Sequence, residues 1–445
     1  MDFPESAHRP GGRQFARPKP GAADQPLCAF DALTGVSRAE WLSPEPLVLP
    51  EPLDPIAWRG MQRHAVIFAA TAGFHNEFYA LVVDAYVRDA EHSGRPRCQL
   101  LGVRDDWLGS DGTIRRAILF DAQHNRLLET HLAAPVRPDR TQFLSLGAQE
   151  RERHRALSAR VEGRQVNPWP PSALADDKAA TLAGWTDLGL DVPPFQLIEP
   201  EDRMALRRFA ATFPEVVLKP NMGTEGQEVS YLRRSDPGMD RLLTDRLERC
   251  RRRGAVIVQQ RRDGVLYRDP QKGSCHTLAL RLNVSFDGCR CRLTSGFAQI
   301  GAHADGPASC GRGGRIEPIH RVLSHLLARG DRSRPIPGPD AATWADLTEQ
   351  AELAATLFDG LWLTGLDVLL DLAPGGRMVP VFLEANPRPA GLCRSRLLAG
   401  LPGSEDRTGL GLALWDALAA HAERRPADAF EAAGRINNGG RVRIA

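Results

Sequence analysis

The chain has 445 residues, 42% of them apolar and 25% charged, with 57 lysines and arginines against 55 acids and a formal net charge of +2. That length exceeds one compact core and predicts two or three domains, and the near-neutral balance of an ordinary globular composition gives no reason to expect a nucleic-acid partner. No apolar run reaches membrane-spanning length, Asp2 and Glu5 open the chain with no apolar stretch behind them, and the eight cysteines lie outside any C-x-x-C, so no membrane partner, no signal peptide and a cytoplasmic location are expected.

Residues 1–62 are rich in Pro, Gly, Ala and Arg without a sustained period, which predicts an extended or partly disordered arm. An N-terminal α/β unit over 63–173 follows. Its first strand is Ala65–Ala70; a glycine-containing loop leads into a helix to about Ala90, and strands follow at Cys98–Val103 and Ile114–Asp121. A loop between strand and helix exposes amide donors, so His75 and Asn76 are candidates to hold a substrate carboxylate, the alternative being that they start and cap the helix. Asn167–Pro171 reads as a Pro-rich linker.

Asp177, Lys178 and Thr181 head the next helix, which ends near Gly189. A lysine at a helix start opposes the dipole unless an anion offsets it, a hint that Lys178 has a role. A helix over Glu201–Thr212 precedes the strand Val216–Lys219 and the loop Pro220–Val229. Gly223, Thr224 and Gly226 there allow positive φ and close backbone approach, so that N–H groups converge on phosphate oxygens while Lys219 supplies a point charge; an ordinary hairpin loop is the plain alternative. The pattern is not a P-loop, which needs G-x-x-x-x-G-K-[ST] before a helix. The helix Met239–Arg253 ends in three arginines at Gly254, a dipole cap, and the strand Ala255–Gln260 follows.

Asp287–Gly288 turns a hairpin between Thr277–Phe286 and Cys289–Gln299. Arg281 lies mid-strand among apolar residues, which is costly unless its face is wet or it grips an anion. A glycine-rich segment, Ser309–Arg315, leads to helices at Pro318–Ala328 and Ala341–Phe358. Trp362–Leu392 then forms two strands about the turn Pro374–Gly376. Asp367 lies on the first strand, and Glu384 and Asn386, two apart, project from one face of the second. Two carboxylates and an amide are ligands for a hard cation. Asp371 shares a face with Asp367 and is the alternative first ligand. A last helix is expected over Leu410–Arg424, with a flexible tail from 431 to 445.

Gly365–Val368 together with Phe382–Pro389 resembles the metal-binding end of the ATP-grasp ligases, a superfamily that includes D-alanyl-D-alanine ligase, glutathione synthetase, biotin carboxylase and amino-acid ligases of natural-product pathways. Lys178, Lys219 with its glycine loop, the 255–263 strand exit and Arg281 precede that end in the family's order. The resemblance implies an α/β fold, α+β in the lid, with a substrate domain at 63–173, a lid at 174–258 and a C-terminal subdomain at 259–430. It implies ATP with Mg²⁺, Mn²⁺ substituting, as cofactors: Asp367, Glu384 and Asn386 on the metal, Lys178 and Lys219 on the phosphates, Gln260 and Asp263 on adenine and ribose. Arg281 would bind an anion and Arg388 would stand near the transferred phosphoryl group, with Arg312 and Arg315 meeting substrate. Two departures stand out: Glu228 where many members have glycine, and no arginine near Gln299. The implied activity is an ADP-forming carboxylate-amine ligase acting through an acyl phosphate on an amino acid or small peptide, with a homodimer as a family expectation. A phosphotransferase that stops at phosphorylation and a non-catalytic ATP-binding regulator are the alternatives.

Overall fold

The computed structural model describes residues 46–388 apart from 59, 69–77, 79–81, 83–97, 122–123, 125, 145–150, 162, 200–201, 224–225, 227, 253, 287 and 310–311. His75, Asn76, Thr224, the helix expected over 410–424 and the tail therefore lie outside the described residues. Among those described, no helix is long and apolar enough to cross a membrane.

Ala65–Phe68 is a continuous apolar run because both of its faces are buried. Ala65 and Ile67 join one hydrophobic cluster while Val66 and Phe68 join another. The strand belongs to a six-stranded sheet of β1 (Leu47–Val48), β2 (Gln62–Phe68), β3 (Cys98–Arg104), β4 (Ile114–Asp121), β5 (Arg126–Val136) and β6 (Arg140–Leu144). Its order is β1-β5-β4-β3-β2-β6. Parallel pairing of Leu47 with Leu128 lays the described end of the N-terminal arm on this sheet's edge.

Helix α1 (Arg151–Arg160) leads to α2 (Trp169–Asp176), so the expected Pro-rich linker is helical from Trp169 onward. Pro170 and Pro171 fit because first-turn amides have no intrahelical acceptor. α3 (Lys178–Asp187) follows. Ala175, Leu182 and Trp185 pack into the C-terminal core, so residues 174–190, expected to begin the lid, belong to the body. Trp185 is fully buried, donates to the Ala354 carbonyl at 3.0 Å and meets Phe382 edge-on at 5.6 Å.

The unit expected as the lid holds a four-stranded sheet, β7 (Phe195–Ile198), β8 (Glu215–Pro220), β9 (Ser230–Arg233) and β10 (Val256–Gln260), in the order β7-β10-β8-β9. Val216, Leu218, Val256 and Val258 face α4 (Arg203–Thr212) and α5 (Met239–Arg251) and form the lid's own core. With period two, Val217, Lys219, Ile257 and Gln259 take the opposite face.

The body sheet holds β11 (Val265–Arg268), β12 (Cys275–Phe286), β13 (Cys291–Ile300), β14 (Arg315–Glu317), β15 (Leu326–Ala328), β16 (Pro335–Ile336), β17 (Leu363–Leu372) and β18 (Met378–Asn386). β12 is its spine, pairing with β13 along one edge and with β11 and then β17 along the other. The helix expected over Pro318–Ala328 is only one turn, α6 (Ile319–Val322), because Leu326–Ala328 is claimed by pairing with β11. α7 (Ala341–Thr356) covers the back of the sheet, capped by Asp340, whose carboxylate accepts from the Thr343 amide at 2.8 Å.

Candidate active site

Antiparallel register sets Arg281 opposite Asp367, Asp367 opposite Glu384, and Gly365 opposite Asn386. Residues directly opposite share a face, so Arg281, Asp367 and Glu384 form one row across three strands, and Asn283, Gly365 and Asn386 form the next. A bulge places Leu383 outside the pairing, since Asp367 pairs with Glu384 but Val368 with Phe382. The extra residue reverses the alternation. Phe382 can therefore enter the core while Glu384, two residues on, turns to the other face.

Asp367 is buried and held by four hydrogen bonds. Arg281 donates through Nε to Oδ1 at 2.5 Å and through Nη2 to Oδ2 at 3.0 Å, Gln299 Nε2 to Oδ1 at 2.9 Å, and Asn386 Nδ2 to Oδ2 at 3.4 Å. The choice for Arg281 between a wet face and a gripped anion is thus resolved, the anion being the chain's own carboxylate. Burial and the neighbouring Glu384 charge raise the Asp367 carboxyl against the pull of Arg281, whereas Lys178 and Lys219 hold Glu384 low despite its burial.

Lys178 is buried at the start of α3, with Nζ 3.5 Å from Glu384 Oε2 and donating to the Gly223 carbonyl at 2.6 Å. That carboxylate and carbonyl offset the unfavourable helix end. Asn221 joins the glycine loop to the same helix: its Oδ1 accepts from the Ala179 amide at 2.8 Å and its Nδ2 donates to Asp177, which caps α3. Lys219 is 6% exposed. Its ammonium is pushed down to about 8 by burial and by Lys178, against the pull of Glu384 and Asp367.

Gly226 of the glycine loop lies against Pro307 and Ser309. Gly226 has φ +65°, and a Cβ there would stand 3.2 Å from that of Ser309. Arg312 donates to the Gly226 carbonyl at 3.1 Å, and Arg315 is engaged by Asp269 at 2.8 Å and Glu317 at 3.1 Å, so these two arginines, expected to meet substrate, serve contacts within the chain. Glu228 adopts φ 56°, the left-handed conformation that glycine takes freely.

At the hinge the two expected contacts are placed otherwise. Gln260 follows the alternation of Val256 and Val258 towards the lid helices. Asp263 is buried and gripped by Arg261 at 2.7 and 3.0 Å, and burial pushes its carboxyl up to about 6. Gln259 is the residue on the Lys219 face: it is 2% exposed and its Nε2 has no hydrogen-bond partner among the described residues. Tyr231 shares that face, with the Arg261 guanidinium 4.3 Å from its ring centroid. Sequence parity distinguishes Gln259 from Gln260 only once the face of Lys219 is known.

Arg388 is bound by Asp176 at 2.6 and 2.7 Å and stands 3.3 Å from His154 Nδ1. Asp371 pairs with Arg262 at 2.5 Å, away from Glu384, which leaves Asp367 in the polar row. Gln299, Asn221 and Gln259 are the residues of this region that motif reading passed over.

No protein-family profile and no curated protein matches the chain. Among solved structures it is similar to the VanG D-Ala:D-Ser ligase from Enterococcus faecalis, with TM-score 0.53 and 12% identity over 81% of this chain and 99% of that one. It is similar also to the D-alanine-D-alanine ligase from Coxiella burnetii, with TM-score 0.51 and 11% identity over 84% of this chain and 98% of that one.

Proposed function

From the premise that the chain has the ATP-grasp ligase fold, we propose that it is an ATP-dependent, ADP-forming ligase joining a carboxylate to an amine, with an amino acid or small peptide as the acid. The observation that carries this reading is the polar row Arg281, Asp367, Glu384 with Asn386 beside it, facing two buried lysines.

The donor set fits Mg²⁺ delivered with nucleotide. Asp367, Glu384 and Asn386 offer hard oxygens, while the described residues contain no group of three or more His, Cys, Asp or Glu that would form an all-protein cage. Asp367 already accepts four hydrogen bonds, the longest from Asn386 at 3.4 Å, so Asn386 is the donor that would release it for a metal ion and would offer its own amide oxygen in exchange. Mg²⁺ bound there supplies charge neutralisation at the phosphate oxygens.

The remaining chemistry belongs to the chain. A carboxylate and the γ-phosphate repel one another, and Lys178 and Lys219 lower that repulsion as the substrate carboxylate attacks phosphorus and ADP leaves, while Arg281 holds Asp367 in place. The acyl phosphate formed must be kept from water, which the lid strand bearing Lys219 and its glycine loop accomplish by closing on the body. The amine then attacks the acyl carbon and phosphate departs. Gln259, whose buried amide nitrogen has no partner among the described residues, lies on the Lys219 face and is the candidate to pair with the nucleotide.

The test is incubation with ATP, Mg²⁺ and pooled amino acids and peptides, reading ADP, phosphate and new masses. An amide product appearing with stoichiometric ADP and phosphate is expected. ADP with a stable phosphorylated product and no amine requirement would overturn the ligase reading in favour of a phosphotransferase.

A further inference from the structure

Asn167, in the segment between the N-terminal unit and α2, spends its whole side-chain amide on two strand ends. Its Oδ1 accepts from the Trp362 amide at 2.8 Å and the Leu363 amide at 3.3 Å. Its Nδ2 donates to the Leu363 carbonyl at 2.8 Å and to the Pro387 carbonyl. Both acceptor positions and both donors are therefore used, on backbone groups about two hundred residues away in sequence. The amide thus stands in for a neighbouring peptide unit, holding the entry of β17 and the exit of β18 together.

Nine residues later Asp176 grips the next residue of that exit. Its two oxygens accept from Arg388 Nη2 at 2.7 and 2.6 Å, with side chains only 8% and 7% exposed. His154 completes the surround: burial and the Arg388 charge push its imidazole down to about 3, so it is neutral and its Nδ1 accepts from the guanidinium at 3.3 Å. The helix α2 separates the two grips, and the Ser172 hydroxyl donates back to the Asn167 carbonyl at 3.3 Å.

We propose that Asn167 and Asp176 are positioning residues for the metal-binding strand pair: by fixing Pro387 and Arg388, the two residues after Asn386, they set the placement of Asn386 against Asp367 and Glu384. The inference rests on the metal-nucleotide reading above. Outer contacts of this kind tune metal affinity by about 10–100-fold.

The experiment uses the full chain, with Mn²⁺ titrated in the presence of ADP and bound metal read by electron paramagnetic resonance, alongside backbone amide exchange of Trp362 and Leu363 in the ligand-free protein. N167A is expected to speed exchange at those two amides and to raise half-saturating Mn²⁺ by about 10–100-fold while the circular dichroism spectrum is kept. N167D, which keeps the acceptors but turns oxygen against the Leu363 and Pro387 carbonyls, is expected to weaken Mn²⁺ at least as much, and it carries the test if N167A does not fold. D176N and R388A should each weaken Mn²⁺, and the double variant no more than the worse single, because the pair acts as a unit. Wild-type Mn²⁺ affinity in folded N167A, N167D and D176N would overturn the positioning role and leave the ligase reading intact. No Mn²⁺ binding by the wild type with ADP would instead overturn that reading and this inference with it.

Discussion

The two walls of the cleft are built in opposite electrostatic conditions. On the body wall every charge has a partner: Asp367 receives four hydrogen bonds and Arg281 spends its guanidinium on it. On the lid wall Lys219 is buried with its ammonium drawn down to about 8, and the Gln259 amide nitrogen has no partner among the described residues. A paired wall is rigid before anything binds, whereas an unpaired one carries a desolvation cost that only an incoming ligand relieves. The lid therefore holds the unmet demand that a polyanion can satisfy, and the body holds the geometry.

Breaking the body wall should have the largest effect. Asp367→Ala strands Arg281 in a buried site, and a chemical denaturation series should show a loss of about 3–5 kcal/mol. Glu384→Gln removes the carboxylate that Lys178 and Lys219 hold well below its ordinary range, so the melting temperature at neutral pH is expected to fall, by less than for Asp367→Ala because the amide keeps the row packed. Turnover on the proposed metal reading is expected to fall by about 10²–10³-fold. Unchanged turnover in folded Glu384→Gln would remove the metal assignment.

Lys219→Met inverts the response. In the unfolded chain this lysine keeps its proton to about 10.5, and in the folded apoprotein to about 8, so between those values the unfolded state binds more protons and stability rises with pH. Below about 8 the whole cost of burying the charge persists. Lys219→Met is therefore expected to stabilise the apoprotein at neutral pH by on the order of 1–3 kcal/mol and to flatten its stability between pH 8 and 10, while nucleotide binding by calorimetry is lost. A destabilised variant would mean that the lid wall is not under strain.

Glu228 and Asp305 sharpen the comparison at smaller scale. Glu228→Gly relieves a left-handed backbone in the loop, partly offset by the greater freedom of the unfolded chain, and a gain of about 0.5 kcal/mol is expected by thermal unfolding. Asp305 draws Arg233 of the lid at 2.7 Å and Arg261, Arg329 and Arg332 at 3.5–3.8 Å, tying lid to body at a half-exposed point. Its replacement by Asn should cost less than about 1 kcal/mol, and the difference from wild type should shrink as salt is raised.

Much of this site was legible in the chain. The hairpin bearing Asp367 and Glu384 is visible because a breaker turn and a two-residue period act over a few positions, and the strand ending in Lys219 before a glycine loop is equally local. Lys178 stands out through the family resemblance of its D-K-x-x-T context, with the opposition to the helix dipole as a lesser hint, and the structure sets Glu384 and the Gly223 carbonyl beside it. Where reading failed, the deciding contact was distant. Arg388, expected beside the phosphoryl group, is taken by Asp176 at a separation of 212 residues, and Gln299, noted only for not being arginine, donates to Asp367 across 68.

The sequence by itself determined the longer strands around the candidate site, where the oxygen side chains and lysines stand along them, and the family resemblance those motifs carry, since period, turn chemistry and helix caps are set by neighbours in the chain. Tertiary structure alone decided that Gln259 rather than Gln260 lies on the Lys219 face, that Arg281 serves Asp367, that 169–176 is a helix whose Asp176 binds Arg388, and that Leu383 bulges to turn Glu384 to the face of Asp367. Those outcomes depend on register and on which buried charge finds which partner, and both are settled only when strands far apart in sequence pack against one another.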